Sequence, residues 1–304
     1  MTALQARRLN WDFDGDVPFL WLPSNPPFSA MMNAISVIAV AFEPYIVTEV
    51  REAMKTIKDP GVREEADAFL RQEAQHTRAH REHVNALVRR HPGLKATVSA
   101  AAAMYDRLLK EEPLAFHLAY VADLEATFTP TFKLWLDHEE ALFRPGDDRV
   151  ASVLLWHFVE EVEHRSSALI IYGAVVRDAW YRVRALPRVR RHVMSVLEVI
   201  TAGFNEHVPS GERQFDARNF LPRYRLRQQV MSLVTLGRRP APPPVAGNLP
   251  RARVMACTWG LLKSQLPGHD PARQPLPAFA GEWMRRYDSG ADVTRYYTAA
   301  GRPS

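Results

Sequence analysis

Several features are scarce in this 304-residue sequence, and each scarcity excludes a class of protein. The one cysteine, Cys257, rules out both an intrachain disulfide and a cluster of thiolate metal ligands. The longest apolar run, from Ala30 to Phe42, is too short to cross a bilayer and leads directly into Glu43. The N-terminus lacks the apolar segment of a signal peptide. We therefore expect a cytoplasmic protein without a membrane span.

A strong excess of one charge is also absent. The chain has 39 Lys and Arg against 34 Asp and Glu residues, which gives a net charge of +5. The densest basic segment, from Arg182 to His192, has none of the interleaved aromatic residues of a nucleic-acid surface. We interpret this segment as a solvated connector in preference to a phosphate or membrane patch, and we expect no nucleic-acid partner.

What the sequence does contain is a long helical pattern. Apolar residues recur every three or four positions from about 29 to 206, and no segment alternates as a strand would, so we predict an all-helical body. The Pro-rich stretch 237–250 can be neither helix nor central strand, because each proline removes a backbone donor. We divide the chain into an arm on the surface of the body at 1–28, a helical metal-binding domain at 29–206 and an irregular C-terminal extension that packs on that domain at 207–304. The predicted helices cover roughly 29–57, 61–91, 95–108, 111–141, 147–180 and 187–206.

Two Glu-x-x-His motifs stand on two of the longest predicted helices. They are Glu73 with His76, in RQEAQHTRAHREH, and Glu161 with His164, in WHFVEEVEHRSSA. Residues three apart share a helix face, so each motif can present one carboxylate and one imidazole to a metal. One such motif occurs often by chance on a surface, but two in one chain favour a metal site.

Two isolated glutamates complete the pattern. Glu43 lies in SVIAVAFEPYIV and Glu125 in LAYVADLEATFTPTF, and both segments are strongly apolar. A glutamate in such surroundings is costly unless something positive lies beside it. Di-iron carboxylate proteins of the helical-bundle type take one Glu from each of two helices and one Glu-x-x-His from each of two others. The sequence therefore predicts a dinuclear metal site, with Glu49 as the alternative to Glu43.

Further histidines lie one turn from the motifs. His157 precedes Glu161 on the same helix face, and we predict that it ligates a metal directly. His80 follows His76 by one turn and is predicted to hydrogen-bond to a ligand without binding metal itself, whereas His83 is off that face and is predicted to be solvated.

The remaining assignments are less direct. Asp123 is predicted to accept a hydrogen bond from a ligating imidazole. Glu160 and Glu163 are interpreted as groups that either face solvent or hydrogen-bond to a ligand. Four aromatic residues near the predicted ligands are candidates for the walls of a substrate cavity or for ordinary core positions: Phe42, Tyr45, Phe128 and Trp156.

The order and spacing of these residues resemble the ferritin-like di-iron arylamine N-oxygenases, over roughly residues 29–180. Those enzymes carry a third histidine one turn before the last Glu-x-x-His, and His157 falls on that position. The resemblance implies a ferritin-like four-helix bundle core with additional helices. It implies two iron ions that activate O2 to oxidise a small organic substrate by N-oxygenation or hydroxylation, and an electron donor such as a ferredoxin or reductase. Nitrogen and oxygen ligands suit iron first and manganese second.

The chain also resembles a bacterial family labelled as a predicted metal-dependent hydrolase, through EAQHTRAHREHVN and the later PGHDP. A hydrolase would use the same ligands to activate a water molecule. Metal storage is a third reading, which we disfavour because the irregular terminal segments do not suggest a simple shell-forming subunit. The sequence leaves a homodimer open.

Overall fold

The regular structure of this protein is helical. The computed structural model describes residues 4–235, 243–247 and 249–299, and within these ranges every regular element is a helix. The all-helical prediction is confirmed. The α-helices are α1 Pro26–Met54, α2 Pro60–Arg90, α3 Leu94–Glu111, α4 Leu114–Glu125, α5 Thr129–Leu136, α6 Glu139–Leu142, α7 Asp148–Glu163, α8 Ser167–Val175, α9 Ala179–His207, α10 Ser210–Arg213, α11 Pro222–Val234, α12 Arg251–Ser264, α13 Ala278–Asp288 and α14 Tyr296–Ala299. Short 3-10 turns lie at Ala217–Phe220 and Pro271–Arg273.

Side-chain caps fix where the helices of the site begin. Asn25 accepts a hydrogen bond from the Phe28 amide at the start of α1, and Asp59 accepts one from Val62 at the start of α2. A proline occupies the first turn of both helices, where its missing N–H has no partner to lose. Asp147 caps α7 in the same way. These caps fix the N-terminal ends of three helices that carry predicted ligands.

Two predicted helices are divided in the structure. The predicted helix 111–141 breaks after Glu125 into α4, α5 and α6, and the predicted helix 147–180 breaks at His164 into α7 and α8. Pro130, in the first turn of α5, lacks the backbone N–H that a continuous helix would bond to the carbonyl of Ala126. Both breaks therefore fall next to predicted ligands, where periodicity alone gave no boundary.

Helix α9, in contrast, is longer than predicted. It begins eight residues before the predicted start and contains Pro187 in its interior. Asp178 accepts hydrogen bonds from the amides of Trp180 and Tyr181, so a strong cap starts the helix there in spite of the proline.

The core lies among α1, α2, α4, α7 and α8. Helix α1 packs along α2, α4 packs against α1 and α8, and α7 and α8 both contact α2. Two apolar clusters fill the space between these helices and their neighbours. The packing is compatible with a ferritin-like bundle in which α1, α2, α4 and α7 bring the predicted ligands together.

The arm and the extension both contribute to this core. The predicted arm buries several large side chains, among them Phe13, Phe19 and Trp21. Helices α13 and α14 pack against α7, and Trp283 of α13 is fully buried. Residues 237–242 and residue 248 of the Pro-rich stretch lie outside the described residues.

Helix α1 is long and apolar enough to cross a membrane by length and composition. It runs for 29 residues, well beyond the apolar run recognised in the sequence. However, 67% of its most apolar window is buried inside the fold. Most of that window is therefore covered by protein.

Candidate metal site

The predicted ligands lie close together in the interior. Glu73, His76, Glu161 and His164 each offer one donor atom, and these atoms lie within 4.8 Å of one another. A second group with the same spacing consists of Glu43, His80 and His157. Every member of both groups is buried, with at most 6% of its surface exposed. The structure thus forms two adjoining pockets of Glu and His donors.

Glu161 connects the two groups. Its Oε1 atom accepts a hydrogen bond from His157 Nε2 at 2.8 Å and lies 3.6 Å from both His76 Nδ1 and His164 Nε2. The same His157 nitrogen is 3.7 Å from Glu43 Oε1. A carboxylate between three imidazoles is well placed to be shared by two metal ions.

Glu125 belongs to neither compact group but lies beside both. It is 8% exposed, at the C-terminal end of α4. Burial raises the pKa of its carboxyl well above the usual range, and the charges of Glu161 and Glu73 raise it further. The last residue of α4 is therefore near enough to the cluster for its carboxyl to interact with both Glu161 and Glu73.

Many donor atoms of the cluster lack partners. Buried polar atoms normally form hydrogen bonds, so each exception needs an explanation. Seven donor atoms are buried and make no hydrogen bond to any residue that the structure describes: Glu43 Oε2, both oxygens of Glu73, His76 Nδ1, Glu125 Oε2 and both ring nitrogens of His164. Carboxylate oxygens and imidazole nitrogens are the donors that iron and manganese accept, so these residues fit a metal centre.

The charges of the cluster also favour a bound metal ion. Burial raises the pKa values of Glu43 and Glu73 well above the usual range, and repulsion from Glu161 adds to the effect. Burial also tends to raise the pKa of Glu161. His164 and His157 outweigh this effect and hold the pKa of the Glu161 carboxyl well below its usual range. Four carboxyls in one buried volume repel one another, and a metal cation would relieve that repulsion.

An outer group of charges orients His76. Its Nε2–H donates to Glu160 Oε2 at 3.0 Å, which leaves Nδ1 directed at the cluster. Glu160 is fully buried and in turn accepts a hydrogen bond from Arg7 at 3.1 Å. Arg7 also forms an ion pair with Glu163 at 2.7 Å, and the Gln72 side chain donates a hydrogen bond to the Glu163 carboxylate. Carboxylates that hold a metal-binding imidazole in this way fix its tautomer and orientation.

Sequence reasoning gave Glu160 no definite role and did not identify Arg7. Their contact joins residues 153 positions apart, so no local spacing reveals it. The available signal was the pair Glu160 and Glu163 on one helix face, which requires a cation if it is buried.

We expect Arg7→Leu to destabilise the protein by about 3–5 kcal/mol, because it leaves Glu160 as an uncompensated buried charge. Urea unfolding of the variant against wild type measures this loss. Arg8→Leu is the matched control, since the neighbouring Arg8 is exposed. Adding Glu160→Gln should restore part of the loss; a double variant no more stable than Arg7→Leu alone would contradict the role given to the pair.

His80 and His83, which lie outside the two Glu-x-x-His motifs, are both part of the buried interior around the cluster. His80 Nε2 lies 2.7 Å from His157 Nδ1, and the other ring nitrogen of His80 contacts Ser36 Oγ at 3.0 Å. The prediction placed His80 outside the ligands, but its distances make it a candidate ligand together with Glu43 and His157. His83 was predicted to be solvated, which is wrong: it is fully buried, contacts Ser36 Oγ at 3.0 Å and stacks on Phe13.

Two acidic residues lie away from the cluster. Asp123 was predicted to accept from a ligating imidazole, but its Oδ1 accepts from Arg182 at 2.8 Å instead. Burial raises the pKa of Asp123 to about 7 against the opposing effect of Arg182. Glu49, the alternative to Glu43, lies 3.9 Å from His117, and Glu43 is the one of the two in the donor groups.

The four candidate aromatic residues have different surroundings. The Trp156 ring contacts the His76 ring edge to face, with 5.0 Å between their centroids. Phe42 and Tyr45 pack with Tyr105 and Tyr120 in an aromatic group of the core. Phe128 is 38% exposed. Of the four, Trp156 has the direct contact with a candidate ligand.

A family model described as a predicted metal-dependent hydrolase matches residues 5–237 of this chain. The matched region contains every Glu and His residue of the cluster together with Arg7. Comparison with curated proteins and with solved structures returned no match.

Proposed function

We propose that this chain, which belongs to the family of predicted metal-dependent hydrolases, is an enzyme with two metal ions in its buried Glu and His cluster. The observation that carries the proposal is the set of seven buried donor atoms without hydrogen-bond partners among the described residues. The proposed ligands are the seven chosen from the sequence with His80 added: Glu43, Glu73, His76, His80, Glu125, His157, Glu161 and His164.

We infer iron as the metal and oxidation of a small organic substrate with O2 as the reaction, by N-oxygenation or hydroxylation. Two ferrous ions, when bound, would supply electrons to O2. The order of ligands along four helices, two single glutamates and two Glu-x-x-His motifs, supports this choice. Manganese is the second choice. An electron donor such as a ferredoxin or reductase and a cytoplasmic location belong to the same proposal.

The protein's own groups have three tasks in this reaction. Glu161 joins the two donor groups and keeps its negative charge beside His157 and His164. Glu160 holds His76 in one tautomer, with Arg7 balancing its charge. The buried surroundings exclude bulk water, which strengthens each of these electrostatic interactions.

Hydrolysis is the second candidate, and the family description favours it. In that case the metal would lower the pKa of a bound water and position it for attack. The same ligands serve both reactions, so the donor set alone does not separate them.

One experiment separates the two reactions. Protein loaded anaerobically with ferrous iron is mixed with O2, and O2 uptake is followed; zinc- or manganese-loaded protein is assayed in parallel on ester and amide substrates. An oxygenase takes up O2 in proportion to bound iron. Turnover of esters or amides without O2 uptake would favour the hydrolase.

His157→Ala is expected to keep the fold and at least one metal ion but to change the rate of O2 uptake. His157 contacts both Glu161 and His80, so its loss removes a nitrogen donor beside the shared carboxylate without removing negative charge. Metal content and O2 uptake are measured beside wild type, with His138→Ala, outside the cluster, as control. Unchanged metal content with unchanged kinetics would reduce His157 to a packing residue.

A further inference from the structure

Helix α12 turns its large apolar side chains toward solvent and its small residues toward the protein. Its large apolar residues Met255, Trp259 and Leu262, continued by Leu266 just beyond the helix, are 56–68% exposed. These residues are spaced four, three and four apart, so they form one stripe along the helix. A helix of a globular protein normally turns such a stripe toward the core.

The opposite side of α12 packs on the body with small residues. Cys257 Sγ contacts Thr131 Oγ1 at 3.8 Å, and Ser264 Oγ donates to the Thr127 carbonyl at 3.1 Å. A Cβ on Gly260 would lie 3.0 Å from Pro130. Since this close packing holds α12 on α5, the large residues must face outward.

Helix α11 repeats the arrangement. Leu226, Val230, Leu233 and Val234 share one face and are 47–77% exposed. Two helices of one segment therefore expose apolar faces in the part of the chain that the structure describes. Single exposed apolar residues are ordinary, but a row of large ones along a helix is typical of an interaction surface.

The charge of this segment indicates the partner. Between residues 217 and 281 the sequence has ten Arg and Lys residues and one acidic residue, Asp270. The whole chain has a net charge of only +5, so the rest of it is acidic by comparison. Neither α11 nor α12 contains an Asp or Glu, and Arg251, Arg253 and Lys263 of α12 are exposed.

We propose that α12 docks this protein on an anionic lipid surface. Its apolar stripe would enter the interface while the surrounding Arg and Lys residues contact the head groups, as amphipathic interfacial helices do. A second copy of the chain fits less well, because it would bring two strongly basic segments together. A membrane surface needs no matching shape, which suits a linear stripe of Leu, Met and Trp.

The test uses the full-length protein with vesicles of phosphatidylcholine, prepared with and without phosphatidylglycerol. Wild type should co-sediment with the anionic vesicles at low salt, and binding should fall at high salt and without phosphatidylglycerol. Trp259→Ser with Leu262→Ser should weaken binding about tenfold or more, because two large apolar side chains no longer enter the interface.

Trp180→Ser is the matched control, since Trp180 on α9 has the same 59% exposure as Trp259. The control should bind vesicles like wild type. Thermal unfolding should not distinguish the double variant from wild type, because both replaced side chains are exposed. Wild type that ignores anionic vesicles, or a double variant that binds them equally well, would overturn the proposal. Self-association abolished by the double variant, without vesicle binding, would assign the stripe to a second copy instead.

Discussion

Replacement of Glu73 by Gln is expected to remove at least one metal ion while making the metal-free protein more stable. Glu73 is fully buried, and neither of its oxygens has a hydrogen-bond partner among the described residues. Burial and the charges of Glu161, Glu43 and Glu160 all raise the pKa of its carboxyl. The amide has nearly the same shape and carries no charge, so the substitution deletes an anionic donor and removes the free-energy cost of protonating a buried carboxylate on folding.

The variant should bind less metal but be more stable without metal. A merely destabilising substitution would not produce this combination. Activity should fall by about 100-fold or more, since even groups behind the ligands typically contribute 10–100-fold. Metal content is measured by elemental analysis and stability by urea unfolding of both forms. Glu82→Gln, an exposed change on the same helix, is the control and should alter neither quantity. A Glu73→Gln protein that binds metal normally, or that is destabilised without metal, would contradict the assignment.

Removal of metal is expected to lower the free energy of unfolding, and the loss should grow as the pH rises above about 6.5. Each metal ion present at 1,000 times its dissociation constant stabilises the folded state by about 4 kcal/mol. The pH dependence follows from the raised pKa values of Glu43, Glu73 and Glu125, which burial and mutual repulsion cause.

The sign of this dependence follows from proton binding. Between the ordinary glutamate value of 4.5 and the raised native values, the metal-free native state holds protons that the unfolded state has released. Stability therefore falls as pH rises, with a slope of at most about 1.4 kcal/mol per pH unit for each glutamate. Burial lowers the pKa values of His76 and His83 to about 4, which acts in the opposite direction but only between about 4 and 6.5.

Urea unfolding of metal-free and metal-loaded protein at several values between pH 6.5 and 8.5 measures the difference. Bound metal replaces the protons, so the loaded protein should be less sensitive to pH. Equal stability of the two forms over this range would be inconsistent with a buried carboxylate-rich site.

The ligands of the metal cluster could be predicted from the sequence because they follow local spacing and composition rules. Glu73 with His76, and Glu161 with His164, are recognisable because residues three apart lie on one helix face. Glu43 and Glu125 were recognisable because an isolated acid in an apolar segment is costly without a positive partner.

What could not be foreseen depends on contacts between distant segments. Arg7 reaches Glu160 only because this part of the arm lies beside α7, and Asp123 meets Arg182 only because α9 packs against α4. His80 was judged by its helix face, but its role depends on His157 from another helix. The helix ends at Glu125 and His164 were missed for a different reason, because apolar spacing continues through both breaks.

The central claim is that the cluster holds two metal ions, and iron stoichiometry with Mössbauer spectroscopy tests it most directly. The purified chain is loaded anaerobically with ferrous iron, freed of unbound iron and exposed to O2. We expect about two iron ions per chain with the spectrum of a spin-coupled pair, and a reduced count in Glu73→Gln. Iron that is not retained, or that gives the spectrum of isolated ions with the same count in the variant, would contradict the account.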